Sequence, residues 1–183
     1  MEVIQTGISG LLIIQPSVFN DSRGYFYESY SAQRYYNIGL PPFIQDNVSR
    51  STYGVVRGLH YQLAPYAQSK LVQVLKGKVL DVAVDLRKES PTFGQHFAVE
   101  LSDENHWQFF IPQGFAHGFS VLSNEAVFSY KCDQFYNKNA ERSIAYNDEQ
   151  LGIDWKIEPD KMIISHKDSA SPSLSEADIN FFY

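Results

Sequence analysis

The chain has a single cysteine, Cys132, among 183 residues. One thiol forms no intramolecular disulfide and builds no thiolate metal cluster, so the fold must rest on its packed core. Basic residues are also in deficit, with 15 Lys and Arg against 21 Asp and Glu and a formal net charge of -6. That balance excludes a general nucleic-acid binder, whose affinity comes from clustered cations on phosphates. A small anion held by a few placed arginines stays open. The apolar run from Leu11 to Ile14 is far shorter than the ~20 residues of a spanning helix, so no membrane association is expected. The opening MEVIQTG lacks the pattern of a secretion signal, and a cytoplasmic protein is expected. Glycine-rich loops of the Walker or Rossmann kind are missing, so side chains rather than backbone amides must hold any diphosphate. Linkers, repeats and blocks of like charge are missing too, and residues 1–183 read as one domain.

What the chain has in quantity is aromatic residues, 12 Tyr and 13 Phe. These favour pleated, half-buried surfaces and offer flat faces to sugars or bases. Short strands bounded by turn residues recur over Leu11–Gln15, Gly54–Tyr61, Lys70–Val74, Lys78–Leu86, Gln95–Leu101, Trp107–Ile111, Gly118–Leu122 and Ala126–Lys131. Their spacing predicts an all-β sandwich or barrel of antiparallel strands. Helix is a minor component: Ser31 to Asn37, with Ser31 as N-cap, and the acidic tail from Ser173 to Asp178. Along Lys78 to Leu86, alternation puts Leu80, Val82, Val84 and Leu86 on one face and Val79, Asp81, Ala83 and Asp85 on the other. The second face, with two carboxylates among small residues, suits either a polar cavity lining or solvent.

Ligand-capable residues are densest in Arg57-Gly-Leu-His60-Tyr-Gln62, with Gln68 and Lys70 close behind. On an unbroken strand Arg57 and His60 point to opposite faces. Using both in one site requires a bulge, and Gly58 is where it is expected. A second cluster, Ile111-Pro-Gln-Gly-Phe-Ala-His117-Gly-Phe119, delivers a histidine through a turn. Its Pro112-x-Gly114-x-x-His117 spacing resembles half of the cupin metal motif. The other half is absent, since His60-Tyr-Gln62 stands where cupins place His-x-His, and two histidines without a third strong ligand make a poor metal site. No metal is expected. In the N-terminal Asp21-Ser-Arg23-Gly-Tyr-Phe-Tyr-Glu28, the plain expectation is a turn at Ser22 to Gly24 leading into an aromatic strand. Arg23 beside Arg57 also suits a diphosphate, because guanidinium forks match phosphate oxygens. Tyr130 on a strand can supply a proton, and Asp168 in a loop can orient a histidine if it reaches one.

The ordered motifs Asp21-Ser-Arg-Gly-Tyr-Phe, Gln45-Asp-Asn, Ser49-Arg-Ser, Val56-Arg-Gly-Leu-His-Tyr-Gln, Ala67-Gln-Ser-Lys-Leu-Val, Asp81-Val-Ala-Val-Asp-Leu-Arg, Ser90-Pro-Thr-Phe-Gly and Ile111-Pro-Gln-Gly-Phe-Ala-His-Gly-Phe together resemble the dTDP-4-dehydrorhamnose 3,5-epimerases. Tyr130-Lys, Asn147-Asp and Lys167-Asp extend the resemblance almost to the C-terminus. It implies a cupin-type jelly roll, a homodimer, a dTDP-sugar substrate and no metal or organic cofactor. It further implies His60 as general base, Tyr130 as general acid, Asp168 as the partner of His60 and Lys70 beside the C4 oxygen. Arg23, Glu28, Gln45, Asp46, Asn47, Arg57, His117, Glu141 and Lys167 match positions that hold the nucleotide-sugar, some of the N-terminal ones from across the dimer.

Chemistry explains those residue types. A C4 ketone makes the C3 and C5 hydrogens removable as protons, and the charge collects on the C4 oxygen as an enolate. An ammonium aimed at that oxygen stabilises the charge where it develops. Inversion then needs a base and an acid on opposite faces of the ring. Two departures from the family pattern are Val48, where histidine is frequent, and Phe135-Tyr136, where two tyrosines are. Inversion of one carbon only, a ketone shift between C3 and C4, and a noncatalytic sugar-binding cupin module are the competing expectations.

Overall fold

The computed structural model describes residues 1–183. The strands are β1 (Glu2–Gln5), β2 (Leu12–Gln15), β3 (Phe19–Asp21), β4 (Gly24–Phe26), β5 (Gln45–Thr52), β6 (Val55–Gln62), β7 (Lys70–Lys76), β8 (Lys78–Asp85), β9 (His96–Ser102), β10 (Gln108–Ile111), β11 (Phe115–Val121), β12 (Glu125–Cys132), β13 (Glu141–Ser143) and β14 (Ile163–Ile164). Two short helices, α1 (Ala32–Asn37) and α2 (His166–Ser169), complete the set. One sheet runs β1-β2-β10-β7-β12-β5 and the other β13-β6-β11-β8-β9, while β3 and β4 pair only with each other. Every ladder is antiparallel except β14 on β6. No helix is long and apolar enough to cross a membrane.

The two sheets face each other as a jelly roll. Between them lies a core built from alternate residues of both, among them Val72, Val74, Phe109 and Phe128 from one sheet and Val79, Ala83, Leu101 and Phe119 from the other. The outer faces are covered differently. The C-terminal segment packs Ile144, Trp155, Leu174 and Phe181 onto Val56, Leu80, Val82 and Val84. The α1 region lays Tyr35 and Leu40 on Leu12, Ile14, Leu71 and Phe110 of the opposite sheet.

The eight strands expected from turn spacing are all present, with ends shifted by up to three residues. The helix at Ser31 to Asn37 is α1, with Ser31 in the N-cap position but making no side-chain cap bond. The acidic tail forms only a single 3-10 turn over Leu174–Glu176. Solvent is not what the second face of β8 meets: Asp81 and Asp85 are both wholly buried. Asp85 takes hydrogen bonds from Arg87, Ser90 and Thr92, and Asp81 sits against His117.

The bulge expected at Gly58 is present. His60 stands opposite His117 and Arg57 opposite Phe119, so Gly58 and Leu59 face the single residue Gly118. The extra residue restores Arg57 and His60 to one face. Gly58 has φ +122°, and a Cβ there would lie 2.6 Å from Gly118 Cα and 2.8 Å from the His117 carbonyl oxygen. Only glycine fits. Gly58→Ala is therefore expected to lower stability by about 3 kcal/mol, read from urea midpoints; a loss below ~1 kcal/mol would show that the strands are free to part here.

Candidate active site

A cleft opens between the sheets, walled by β5, β7 and β12 on one side and β6 and β11 on the other. Its outer lobe, about 310 Å³, is bordered by Gln45, Asn47, Gln62, Gln68, Tyr136 and Glu141 among others. Its inner lobe, about 170 Å³, is bordered by Ser49, Arg57, His117, Phe119 and Phe128. Three titratable side chains, His60, Lys70 and Tyr130, border both lobes. They therefore stand at the junction of the two lobes.

Each arrives from a different strand. His60 reaches the cleft because of the bulge in β6. Lys70 and Tyr130 come from the neighbouring strands β7 and β12, with the Lys70 ammonium 6.0 Å from the Tyr130 ring centre. Asp168 comes from α2, which β14 carries alongside the start of β6. Its carboxylate lies 2.6 Å from His60 Nε2 across 108 residues of sequence. A carboxylate only accepts, so Nε2 carries the proton in this contact, and Nδ1 is the ring nitrogen not engaged by Asp168. Ser165 Oγ accepts from the Asp168 backbone amide and fixes the start of α2.

The polar rim is interlinked. Lys167 Nζ pairs with Glu141 at 2.6 Å, and the Tyr136 hydroxyl donates to the same carboxylate at 3.0 Å. Gln45 donates to Asn47, and Arg57 donates to Ser51 Oγ at 3.1 Å. His60 and His117 each engage a carboxylate of their own, and no three His, Cys, Asp or Glu side chains converge as metal ligands.

The model of the dTDP-4-dehydrorhamnose 3,5-epimerases matches residues 5–176. The dTDP-4-dehydrorhamnose 3,5-epimerase of Shigella flexneri is 50% identical over 182 residues, which is 98% of this chain and 94% of that one. Two solved structures superpose closely. The dTDP-4-dehydrorhamnose 3,5-epimerase of Elizabethkingia anophelis does so with a TM-score of 0.92 at 53% identity, covering 96% of this chain and 97% of that one. The dTDP-6-deoxy-D-glucose-3,5-epimerase of Legionella pneumophila, in complex with dTDP-4-keto-L-rhamnose, gives a TM-score of 0.93 at 52% identity, covering 97% and 94%. The chain belongs to the dTDP-4-dehydrorhamnose 3,5-epimerase family. Its fold is the family's cupin-like jelly roll.

For a member of this epimerase family the protonation states matter as much as the positions. Burial pushes the Lys70 ammonium below the ordinary lysine range, opposed in part by Cys132, Asp81 and Glu141. Burial raises the Tyr130 phenol, so it stays protonated through neutral pH. Burial likewise works against the Asp168 carboxylate, but the hydrogen bond and charge of His60, with help from Ser165 and the Gly58 amide, outweigh it and hold the group below the ordinary carboxyl range.

Most of the residues matched by the resemblance meet at this cleft: His60, Tyr130, Lys70, Gln45, Asn47, Arg57, His117 and Glu141 border it, and Asp168 and Lys167 brace it from behind. Three do not. Asp46 alternates to the outer face of β5 and pairs with Lys131. Arg23 stands 88% exposed on the β3–β4 hairpin, tied to Asp21, and Glu28 pairs with Arg34. The hairpin forms its own open concavity, which shares no residue with the cleft. Sequence reasoning assigned no site role to Tyr136, which follows β12 in a loop without periodicity, nor to Asp81, whose place behind His117 depends on the pairing of β8 with β11.

The Asp168 pair carries a pH signature. With the folded carboxyl below its unfolded value, its stabilisation is fully present above about pH 4 and is lost as pH falls through the folded value. Asp168→Asn is expected to cost about 2 kcal/mol at pH 7 and less at pH 3. Equal urea-midpoint differences at the two pH values would show that the charge of Asp168 is not what binds His60.

Proposed function

We propose that this chain inverts C3 and C5 of dTDP-4-dehydro-6-deoxy-D-glucose to give dTDP-4-dehydro-L-rhamnose, as in dTDP-L-rhamnose biosynthesis, with His60 as base and Tyr130 as acid. The observation that carries this reading is that His60, Lys70 and Tyr130 alone combine both lobes of one cleft with acid–base chemistry, while Asp168 holds the His60 tautomer. His60 Nδ1 takes a proton from the carbon next to the C4 ketone. The charge moves onto the C4 oxygen, where the Lys70 ammonium stabilises it. Tyr130 gives its proton to the other face; exchange with water then discharges the His60 imidazolium and reprotonates the Tyr130 phenolate, and the same cycle at the second carbon completes the double inversion. Asp168 keeps the imidazole in place and favours the imidazolium that forms.

Arg57, Gln45, Asn47, His117, Glu141 and Lys167 hold the nucleotide-sugar, and their binding energy keeps the ring in register through both steps. The scheme calls for no metal or organic cofactor. It operates in one domain, in the cytoplasm, and in a homodimer. In support of the dimer, the β3–β4 hairpin leaves Phe19 and Phe26 66% and 68% exposed and carries Arg23 away from the cleft of its own chain. Such an apolar arm is suited to a second copy, where Arg23 and Glu28 complete the site.

With dTDP-4-dehydro-6-deoxy-D-glucose in heavy water, deuterium is expected at both C3 and C5. His60→Ala should abolish both exchanges and Lys70→Met should lower kcat by roughly a hundredfold or more. Exchange at one carbon alone, by mass spectrometry, would reduce the activity to a single inversion. The dimer is checked by complementation. Mixing His60→Ala and Arg23→Ala chains after reversible dissociation yields hybrids with one intact site, restoring roughly a quarter of wild-type activity. No recovery in confirmed hybrids would place Arg23 in its own chain's site.

A further inference from the structure

Asp81 is fully buried on β8, among apolar residues of the inter-sheet core. A buried carboxylate is costly unless it is paired. Both its oxygens lie 3.0 Å from one atom, Nε2 of His117. Because an ionised carboxylate can only accept, that nitrogen must carry the ring proton.

The other nitrogen then has a lone pair, and its surroundings can be located. His117 is only 7% exposed, and no buried side-chain nitrogen or oxygen in the structure lacks a hydrogen-bond partner. Nδ1 makes no hydrogen bond with the protein, since the contacts of the ring are those through Nε2. It must therefore lie in the small open part of the ring, and that part borders the inner lobe beside Lys70 and Tyr130. Phe128 stacks on the imidazole with ring centres 6.0 Å apart and planes at 22°, which limits its rotation. Burial and the neighbouring Lys70 and His60 all disfavour a second proton on His117, outweighing the pull of Asp81.

A fixed acceptor facing a sugar site selects a donor. Resting on the epimerase reading above, we infer that Asp81 is a positioning residue that locks His117 as a hydrogen-bond acceptor for the C2 hydroxyl of the sugar. Apart from the diphosphate and the nucleoside, the 4-keto-6-deoxy substrate has two hydroxyl donors, at C2 and C3. The C3 hydroxyl changes face when its carbon inverts. The C2 hydroxyl keeps its configuration throughout, so it is the one that a fixed acceptor can hold through both inversions. His117 in this role anchors the ring at the carbon that must not react.

Two measurements test this. A two-bond proton–nitrogen NMR spectrum of the wild-type apoprotein is expected to show His117 with Nε2 protonated and Nδ1 unprotonated at pH 7. A doubly protonated ring or the reverse tautomer overturns the inference, whatever the enzyme's activity. In kinetics, Asp81→Asn is expected to raise KM roughly tenfold, as for the loss of one hydrogen bond to a bound group, with a smaller fall in kcat because Asp81 also favours the Lys70 charge. The 2-deoxy analogue should show a similarly raised KM with wild type and no further rise with Asp81→Asn. Additive penalties would mean that the C2 hydroxyl does not meet His117. Should Asp81→Asn not fold, the wild-type spectrum and the wild-type response to the 2-deoxy analogue still decide, and an analogue bound as tightly as the substrate overturns the inference.

Discussion

The close contact of β6 with β11 at Gly58 and Gly118 is the constraint on which the active cleft depends. A Cβ at Gly118 would lie 2.7 Å from the Arg57 carbonyl oxygen, and one at Gly58 would meet Gly118 Cα. With both side chains absent, β6 gains one residue against its partner and its pleat is reset. Arg57 and His60 then share a face, and His60 lies directly across from His117. The same segment lends the Gly58 amide to Asp168. Without the bulge His60 and Arg57 would point apart, and the cleft would keep only one of the two on its wall.

Around that bulge the cleft is organised as two carboxylate–imidazole pairs on facing residues, Asp168 with His60 and Asp81 with His117. Both pairs turn Nε2 to a carboxylate, but their environments differ. His60 keeps 31% of its side chain open, whereas His117 keeps 8%. His60 thus meets the open cleft, whereas His117 is held deep between the Asp81 carboxylate and the Phe128 ring. At Lys70, burial weakens the charge, and the surrounding acidic groups partly restore it.

Strand existence was legible because one face of most strands is apolar and turn residues interrupt them. Of the strands that escaped this pattern, the longest is instructive. β5, Gln-Asp-Asn-Val-Ser-Arg-Ser-Thr, escaped the pattern because it lines the polar cleft on one face and is exposed on the other. A strand that serves a polar cleft has no hydrophobic period to read. The same logic explains β8, where Asp81 and Asp85 suggested a wetted face but are buried and paired. Pairing partners 36 residues apart leave no mark in a local window.

By itself, the sequence determined the chemistry available: a strand-rich chain with a single cysteine and no glycine-rich phosphate loop, and motifs that match one epimerase family along almost its whole length. It also determined where a bulge was needed, since Arg57 and His60 are three positions apart and alternation is strict. Tertiary structure alone decided which of those residues meet. Asp168 reaches His60 only because β14 runs beside β6, Asp46 turns outward from Gln45 and Asn47, and Arg23 leaves on a hairpin. The reason is geometric: side-chain identity and strand period are local properties, whereas a site is an intersection of strands whose register is set by contacts far apart in the chain.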